Sequence, residues 1–420
     1  MEEPRRLTRA RKPDNMKLSV TTWIAALASA ALLLAAPLLA TQEKANDPKT
    51  CPYCKGDPEL MKKAGIVSHG GFEFGKEDST EKIDRLLATC DIRWIETAHF
   101  ELGFALAPHK VKPEEKEKLR AELTRLAEVL PGVDPKTKVI DVWLRTHLYA
   151  QRCEDTWKRW LEIFQVKESD FPPKNYVWDR QSKYMGIGPY LGQNSKYEVL
   201  ILPSEATLQQ FLQAQWGLLV KKTQRWNLPS KDTLSVAIGA GQENLREDEG
   251  MHGHLAFNLA INLLDGFKHY SYDTPIWIRE GLAHFMEREI SPKYNSFDSA
   301  EGGTAEMTRK SKWEPEVRKL ASAAKLPRMA EVLSMKEYSD LTLPRHYAVW
   351  SMTDFLIKTK PAEYARFNDA LHGIVNAEGF ADSSNLLDVH REKFKEIFGW
   401  SYADFDRVWV EWVLANYAAQ

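Results

Sequence analysis

Acidic and imidazole side chains recur at helical spacing in two neighbouring stretches of this 420-residue chain. Asp248 and His252 are four residues apart, so a helix places them on one face, with Glu249 one position round. In the second stretch, Glu280 and His284 are also one helical turn apart. Carboxylates and imidazoles can bind Zn2+, and a carboxylate can take a proton from metal-bound water. The two stretches therefore predict buried helices that bring such groups together.

Both stretches resemble the metal-binding core of the gluzincin metallopeptidases, the peptidase MA-like group. That group has the pattern HExxH on one helix and a glutamate in a W-x-x-E-G-x-A motif on the next. Residues 277–283 read WIREGLA and match the second motif, whereas residues 248–252 read DEGMH, a DExxH version of the first. The resemblance implies an α+β fold with a zincin-like metallopeptidase core, a Zn2+ cofactor and a peptide or protein substrate.

Carried over by position, the resemblance assigns His252 and Glu280 as zinc ligands and Glu249 as the general base. Asp248 stands at the position of the first histidine ligand. Zinc-bound water activated by Glu249 would attack the peptide carbonyl. An Asp–His–Glu set suits a harder ion and should hold zinc more weakly than two histidines and a glutamate. Asp248→His, which restores HExxH, should then raise zinc affinity.

A second interpretation needs no metal, because Glu247, Asp248 and Glu249 would occupy the first turn of a helix, where the helix dipole favours acids. The fold would then be a catalytically inactive pseudopeptidase, serving as an extracytoplasmic binding module. A third interpretation is a purely structural protein of the cell envelope. Metal content distinguishes the first interpretation from the other two. His254 lies about 200° round the helix from His252 and is expected to be a packed or exposed side chain.

The resemblance also implies how the chain is organised. It implies a gluzincin-like core at residues 93–290 and a helical C-terminal subdomain at residues 291–420 that closes the cleft, and a cysteine-containing N-terminal segment at residues 46–92 precedes them. In that subdomain, His346 or Tyr347 would stabilise an oxyanion, a role that rests on their placement alone.

Hydrophobic patterning predicts the elements around the two motifs. His99 falls in the first predicted strand and is expected to be structural. The strand at 233–239 leads into the Asp248 helix, as the edge strand does in gluzincins, where this edge pairs with an extended peptide substrate. A free edge can also be covered by its own chain. Strands are predicted at 93–106, 197–202 and 233–239, and helices at 113–130, 134–164 and 204–218.

The N-terminus has the pattern of an export signal. Six basic residues among the first 17 precede an apolar run from Val20 to Ala40. Residues 1–45 are therefore predicted to be a signal peptide, which makes the protein secreted or periplasmic. An uncleaved membrane anchor over residues 20–40 is the alternative. The formal net charge of −2, without a basic stripe among aromatics, argues against a nucleic-acid partner.

Four cysteines follow the apolar run, at positions 51, 54, 90 and 153. Residues 51–54 read CPYC, as in a glutaredoxin active site, but no strand precedes them, so a redox domain is rejected. Half of a zinc site with His69 is a weaker alternative, as is covalent haem attachment with Lys55 in place of the usual histidine. In an exported protein, disulfides of unknown pairing are the expectation.

Overall fold

A five-stranded mixed sheet with helices on both faces forms the centre of the computed structural model, which describes residues 50–270, 274–297 and 311–419. The strand order is β1-β2-β5-β7-β6. The pairs β2–β5 and β5–β7 are parallel, and β1–β2 and β6–β7 are antiparallel. Strands β3 and β4 form a separate two-stranded sheet. The strands are β1 (Arg93–Glu96), β2 (Phe100–Phe104), β3 (His109–Lys110), β4 (Val139–Ile140), β5 (Tyr197–Leu202), β6 (Gln224–Leu228) and β7 (Thr233–Gly239).

Helices make up most of the remaining regular structure, and those after residue 290 form the C-terminal part. They are α1 (Pro58–Lys63), α2 (Thr80–Leu86), α3 (Lys116–Val129), α4 (Val142–Phe164), α5 (Glu205–Trp216), α6 (Asp248–Gly266), α7 (Ile276–Ile290), α8 (Trp313–Ser322), α9 (Met329–Leu333), α10 (Leu343–Thr359), α11 (Pro361–Leu371), α12 (Leu386–Phe398) and α13 (Tyr402–Asn416).

Both faces of the sheet are buried. Successive side chains of a strand point to opposite faces, so alternate residues of one strand belong to different cores. In β5, Val199 and Ile201 face the larger core, which contains residues of α4, α6 and the C-terminal helices. Leu200 and Leu202 face a smaller core with residues of α2 and α5. This two-sided burial explains why β5 is a continuous apolar run with a single glutamate, Glu198.

Helix α6 is the most enclosed element of the site, since every residue except Glu249 is buried. It packs against α7, which in turn crosses α10 closely at Gly281. A Cβ at that glycine would lie 2.2 Å from Thr353 Oγ1 and 2.6 Å from Val349 O. The glycine of the WIREGLA motif therefore lets α7 approach α10.

The α+β class, the helix near 113–130 and the strands at 197–202 and 233–239 are confirmed. The single strand predicted at 93–106 is wrong, because the chain turns after Glu96 and forms the β1–β2 hairpin. The helix predicted from residue 134 starts at Val142, where the Asp141 carboxylate accepts hydrogen bonds from two backbone N–H groups and caps the helix. Strand β7 is not an edge strand, because β6 covers it.

The described residues from 50 onward belong to one compact unit, so the sheet-containing part and the helical C-terminal part are not separate bodies. The predicted signal or anchor segment lies outside the described residues. Within those residues, no helix has the length and apolarity needed to cross a membrane.

Candidate functional site

Asp248 lies in a buried ion-pair network at the start of α6. Its Oδ2 is 2.8 Å from Arg152 Nη2, and its Oδ1 is 3.4 Å from Arg145 Nη2. The Tyr149 hydroxyl donates a hydrogen bond to Oδ1 at 2.9 Å. Burial acts to raise the pKa of Asp248, but the two guanidinium groups outweigh it and hold the pKa below its ordinary value. Both carboxylate oxygens therefore already have cationic or hydroxyl partners.

Helix α4 supplies those partners from one face, at positions 145, 149 and 152. The Arg152 guanidinium also binds Glu122 of α3 through Nε at 3.1 Å and Nη2 at 2.8 Å. Two arginines thus face two carboxylates in the interior. The sequence signal was the i, i+4, i+7 spacing of Arg145, Tyr149 and Arg152, which was not recognised in the helix predicted at 134–164.

His252 lies one turn further along α6 and is also buried. Its Nδ1 is 3.9 Å from Glu122 Oε1 and has no hydrogen-bond partner among the described residues. Desolvation, followed by the charges of Arg152 and Lys118, lowers the pKa of His252 well below its ordinary value, so the ring is neutral. With half-buried Glu249, it borders a cavity of about 250 Å3 that Lys118 and Lys293 also line.

Glu280 lies instead beside two histidines. His284 Nε2 is 3.8 Å from Glu280 Oε2 and 3.0 Å from His346 Nδ1. All three side chains are fully buried, and desolvation lowers the pKa of His284 and of His346, so neither ring is charged. The sequence showed the helical spacing of Glu280 and His284, and His346 was a separate candidate. The packing of α7 against α10 brings the three residues together.

Tyr347, the other predicted oxyanion residue, packs its ring edge-on against Trp313 with centroids 5.1 Å apart. Burial raises its pKa to about 12. His254 accepts or donates hydrogen bonds with Thr223 Oγ1 and Ser296 Oγ, each at 2.8 Å, which confirms a packed role. His99 stacks on Trp157, as expected of a structural residue.

Two groups of described residues could hold a metal ion, judged by ligand atoms that all lie within 4.8 Å of one another. One is Glu280, His284 and His346, and the other is Cys51, Cys54 and His147. Asp248, His252 and Glu280 do not form such a group in the described part of the chain. The zinc that the gluzincin resemblance implies does not fit there, because two guanidinium groups already hold the Asp248 carboxylate and would repel a divalent cation.

The cysteines also differ from expectation, since all four lie in the described part and none is in a disulfide. Cys153 is fully buried in the core, and Cys90 is half-buried. The predicted disulfides are therefore wrong for this structure.

A second cavity, of about 200 Å3, adjoins β6, the outermost strand of the sheet. Arg225 and Trp226 of β6 line it together with Asp265 of α6 and Arg279 of α7. Arg279 Nη2 is 2.7 Å from Asp265 Oδ2. Arg225 also donates to Asn258 Oδ1 at 2.6 Å. The described lining is polar and carries a net positive charge.

Comparison with protein-family models and with curated proteins gave no match for this chain.

Proposed function

We propose that the protein is an exported, gluzincin-like pseudopeptidase that binds a peptide or protein segment without hydrolysing it. The observation that carries this proposal is the engagement of Asp248 by Arg145, Arg152 and Tyr149. A hydrolytic zinc needs three protein ligands and an open position for water. Asp248, at the first ligand position of the DExxH segment, belongs to an ion-pair network. Glu280 is fully buried beside His284.

The ligand would bind along β6. Among the described strands, β6 pairs only with β7, so its other edge has backbone groups that an extended peptide can pair with. The adjoining cavity with Arg225 and Arg279 would take a side chain of that peptide. Because Arg225, Trp226 and Arg279 line the cavity with N–H groups, a side chain that accepts hydrogen bonds, such as a carboxylate or an amide, suits it best. The predicted export signal and the gluzincin resemblance support a protein or peptide ligand outside the cytoplasm.

Hydrolysis is tested with a mixture of reporter peptides followed by mass spectrometry, with zinc supplied. Glu249→Gln is the diagnostic variant because Glu249 is the general base that the resemblance implies. We expect no zinc-dependent cleavage by the wild type. Cleavage that zinc restores after chelation and that Glu249→Gln abolishes would replace the proposal with an active peptidase.

Binding is tested on an array of extended peptides whose side chains are carboxylates, amides or apolar groups. We expect peptides with carboxylate or amide side chains to bind the wild type and to lose at least about tenfold in affinity with Arg225→Ala, because a hydrogen-bond donor of the cavity is removed. Arg159→Ala is the matched control, since Arg159 forms a surface ion pair with Glu289 on another part of the protein. Equal losses in both variants, or no preference for carboxylate or amide side chains over apolar ones, would contradict a ligand site at β6.

A further inference from the structure

The CPYC segment folds into a tight turn that points both sulfur atoms inward. Lys55 N donates to Cys51 O at 2.9 Å, and the next residues continue the turn, with Lys55 at φ 53° and Gly56 at φ 67°. The backbone N–H of Cys54 points to Cys51 Sγ at 3.5 Å. Both cysteines are almost completely buried, at 2% and 0% exposure. Two sulfur ligands are thus presented together, away from solvent.

Two imidazoles from distant parts of the chain face these sulfurs. Cys51 Sγ is 3.0 Å from Nε2 of His147, on the first turns of α4. Cys54 Sγ is 3.1 Å from Nε2 of His69. The ligand atoms of Cys51, Cys54 and His147 all lie within 4.8 Å of one another, and His69 adds a fourth next to Cys54.

Groups outside this cluster hold it in place. The Nδ1 of His69 is 3.1 Å from the backbone carbonyl oxygen of Trp94 in β1, which fixes the proton on Nδ1 and turns the Nε2 lone pair toward the sulfur. The Tyr53 hydroxyl donates to Asp141, the residue that caps α4. The turn is therefore fastened to the same helix that carries His147.

We propose that Cys51, Cys54, His69 and His147 form a tetrahedral zinc site. Two thiolates with two imidazoles are a soft ligand set that suits Zn2+ and not Mg2+ or Ca2+. Binding releases the two thiol protons to solvent, so that two Zn–S and two Zn–N bonds form without any redox step. Typical Zn–S and Zn–N bond lengths separate sulfur and nitrogen by about 3.5 Å, so the cluster expands by roughly half an ångström around the ion.

The site is structural, because four protein ligands leave no position for water or substrate. It joins the turn with Cys51 and Cys54, together with His69, to the start of α4, which the turn otherwise meets through the small core containing Leu144 and Leu148. Its existence does not depend on the proposed peptide-binding function, since none of its ligands belongs to the DExxH segment or to the cavity beside β6.

Cobalt substitution in the purified mature chain tests the proposal directly. Co2+ bound by thiolates gives a sulfur-to-cobalt charge-transfer band, which a site of oxygen and nitrogen ligands lacks, and tetrahedral coordination adds strong visible bands. We expect one such Co2+ per chain, displaced by one equivalent of Zn2+. The absence of charge-transfer absorption in the wild type under reducing conditions would overturn the proposal, and this result does not depend on whether any variant folds.

Variants identify the ligands. Cys51→Ser and Cys54→Ser should abolish the charge-transfer band or halve it, whereas Cys90→Ser, the matched control at a half-buried cysteine, should leave it unchanged. His147→Ala and His69→Ala should weaken zinc affinity by more than about 100-fold, the upper range for losing a supporting group alone.

His269→Gln is the histidine control, because His269 contacts Asp232 and Tyr184 and none of the four ligands. A band that survives the Cys51→Ser, Cys54→Ser double variant would place the metal elsewhere and refute the assignment.

Discussion

Replacing Asp248 by histidine distinguishes a lost zinc ligand from an ion-pair partner. The gluzincin resemblance alone predicts that Asp248→His raises zinc affinity, because it restores HExxH. The structure predicts a loss of stability without a gain in zinc affinity, because histidine at this position would lie between Arg145 and Arg152 without a compensating negative charge. Removing one partner from a buried ion pair costs about 3–5 kcal/mol. Arg152 would then keep the buried carboxylate of Glu122, whereas Arg145 would lose the carboxylate that it contacts.

Asp248→Asn separates charge from shape, because it keeps an oxygen for the Tyr149 hydroxyl. We expect Asp248→Asn to lose about 3 kcal/mol and Asp248→His to lose at least as much, measured by urea unfolding followed by tryptophan fluorescence. The pKa of Asp248 is lowered in the folded state, so its stabilisation is complete above the ordinary aspartate pKa and is lost only in acid. The loss in Asp248→Asn should therefore be constant from about pH 5 to pH 8.

A variant Asp248→His that is as stable as the wild type and binds zinc more tightly would refute this reasoning. Loss of stability without a gain in zinc affinity would support it. The zinc titration uses protein in which Cys51 and Cys54 are both serine, so that the proposed cysteine site does not contribute.

Two further predictions concern other buried positions. Burial raises the pKa of Glu198 to about 7, so the folded protein retains a proton that the unfolded chain releases, and stability falls as pH rises from the ordinary glutamate pKa through 7. Glu198→Gln should add about 3 kcal/mol at pH 8 and little near pH 4, and an equal effect at both values would contradict this. Gly281→Ala should cost about 2–3 kcal/mol, because its Cβ would collide with Thr353 Oγ1. Gly253→Ala, whose Cβ would meet Glu287 Cγ at an ordinary 3.4 Å, should be neutral or stabilising, and similar effects of the two substitutions would argue against close helix packing at Gly281.

The sequence predicted the fold class and most elements because those depend on local periodicity. Strand β5 is an apolar run of the right length, and the helical spacing of Asp248 and His252 was correct. The edge of the sheet was assigned wrongly because β6, Gln224–Leu228, is polar and half-buried and has no strong alternating pattern. An edge strand with solvent on one side gives a weaker signal than a buried central strand.

The site could be predicted only in part because its partners come from distant positions in the chain. Asp248 contacts residues of α4 that lie about one hundred positions earlier in the chain. Arg152 is 96 positions before Asp248, and Tyr149 is 99 positions before it. Glu280 joins His346 across 66 positions. Single-sequence periodicity indicates which face of a helix is buried but not which helix covers that face.

The cysteine cluster was predicted only in part, because its residues also come from distant positions in the chain. Sequence reasoning considered only half of a zinc site, with His69, because CPYC and His69 are close in the chain. His147 lies 96 positions from Cys51 and is the ligand that completes the cluster. The metal interpretation was given less weight because the cysteines of exported proteins usually form disulfides. In the structure all four cysteines are free.

Anomalous diffraction at the zinc absorption edge, from crystals of the protein grown with zinc, shows whether the DExxH segment is held by an ion-pair network or is a metal centre. We predict an anomalous peak bounded by Cys51, Cys54, His69 and His147, and none between Asp248 and His252. A zinc peak coordinated by Asp248, His252 and Glu280 would contradict it.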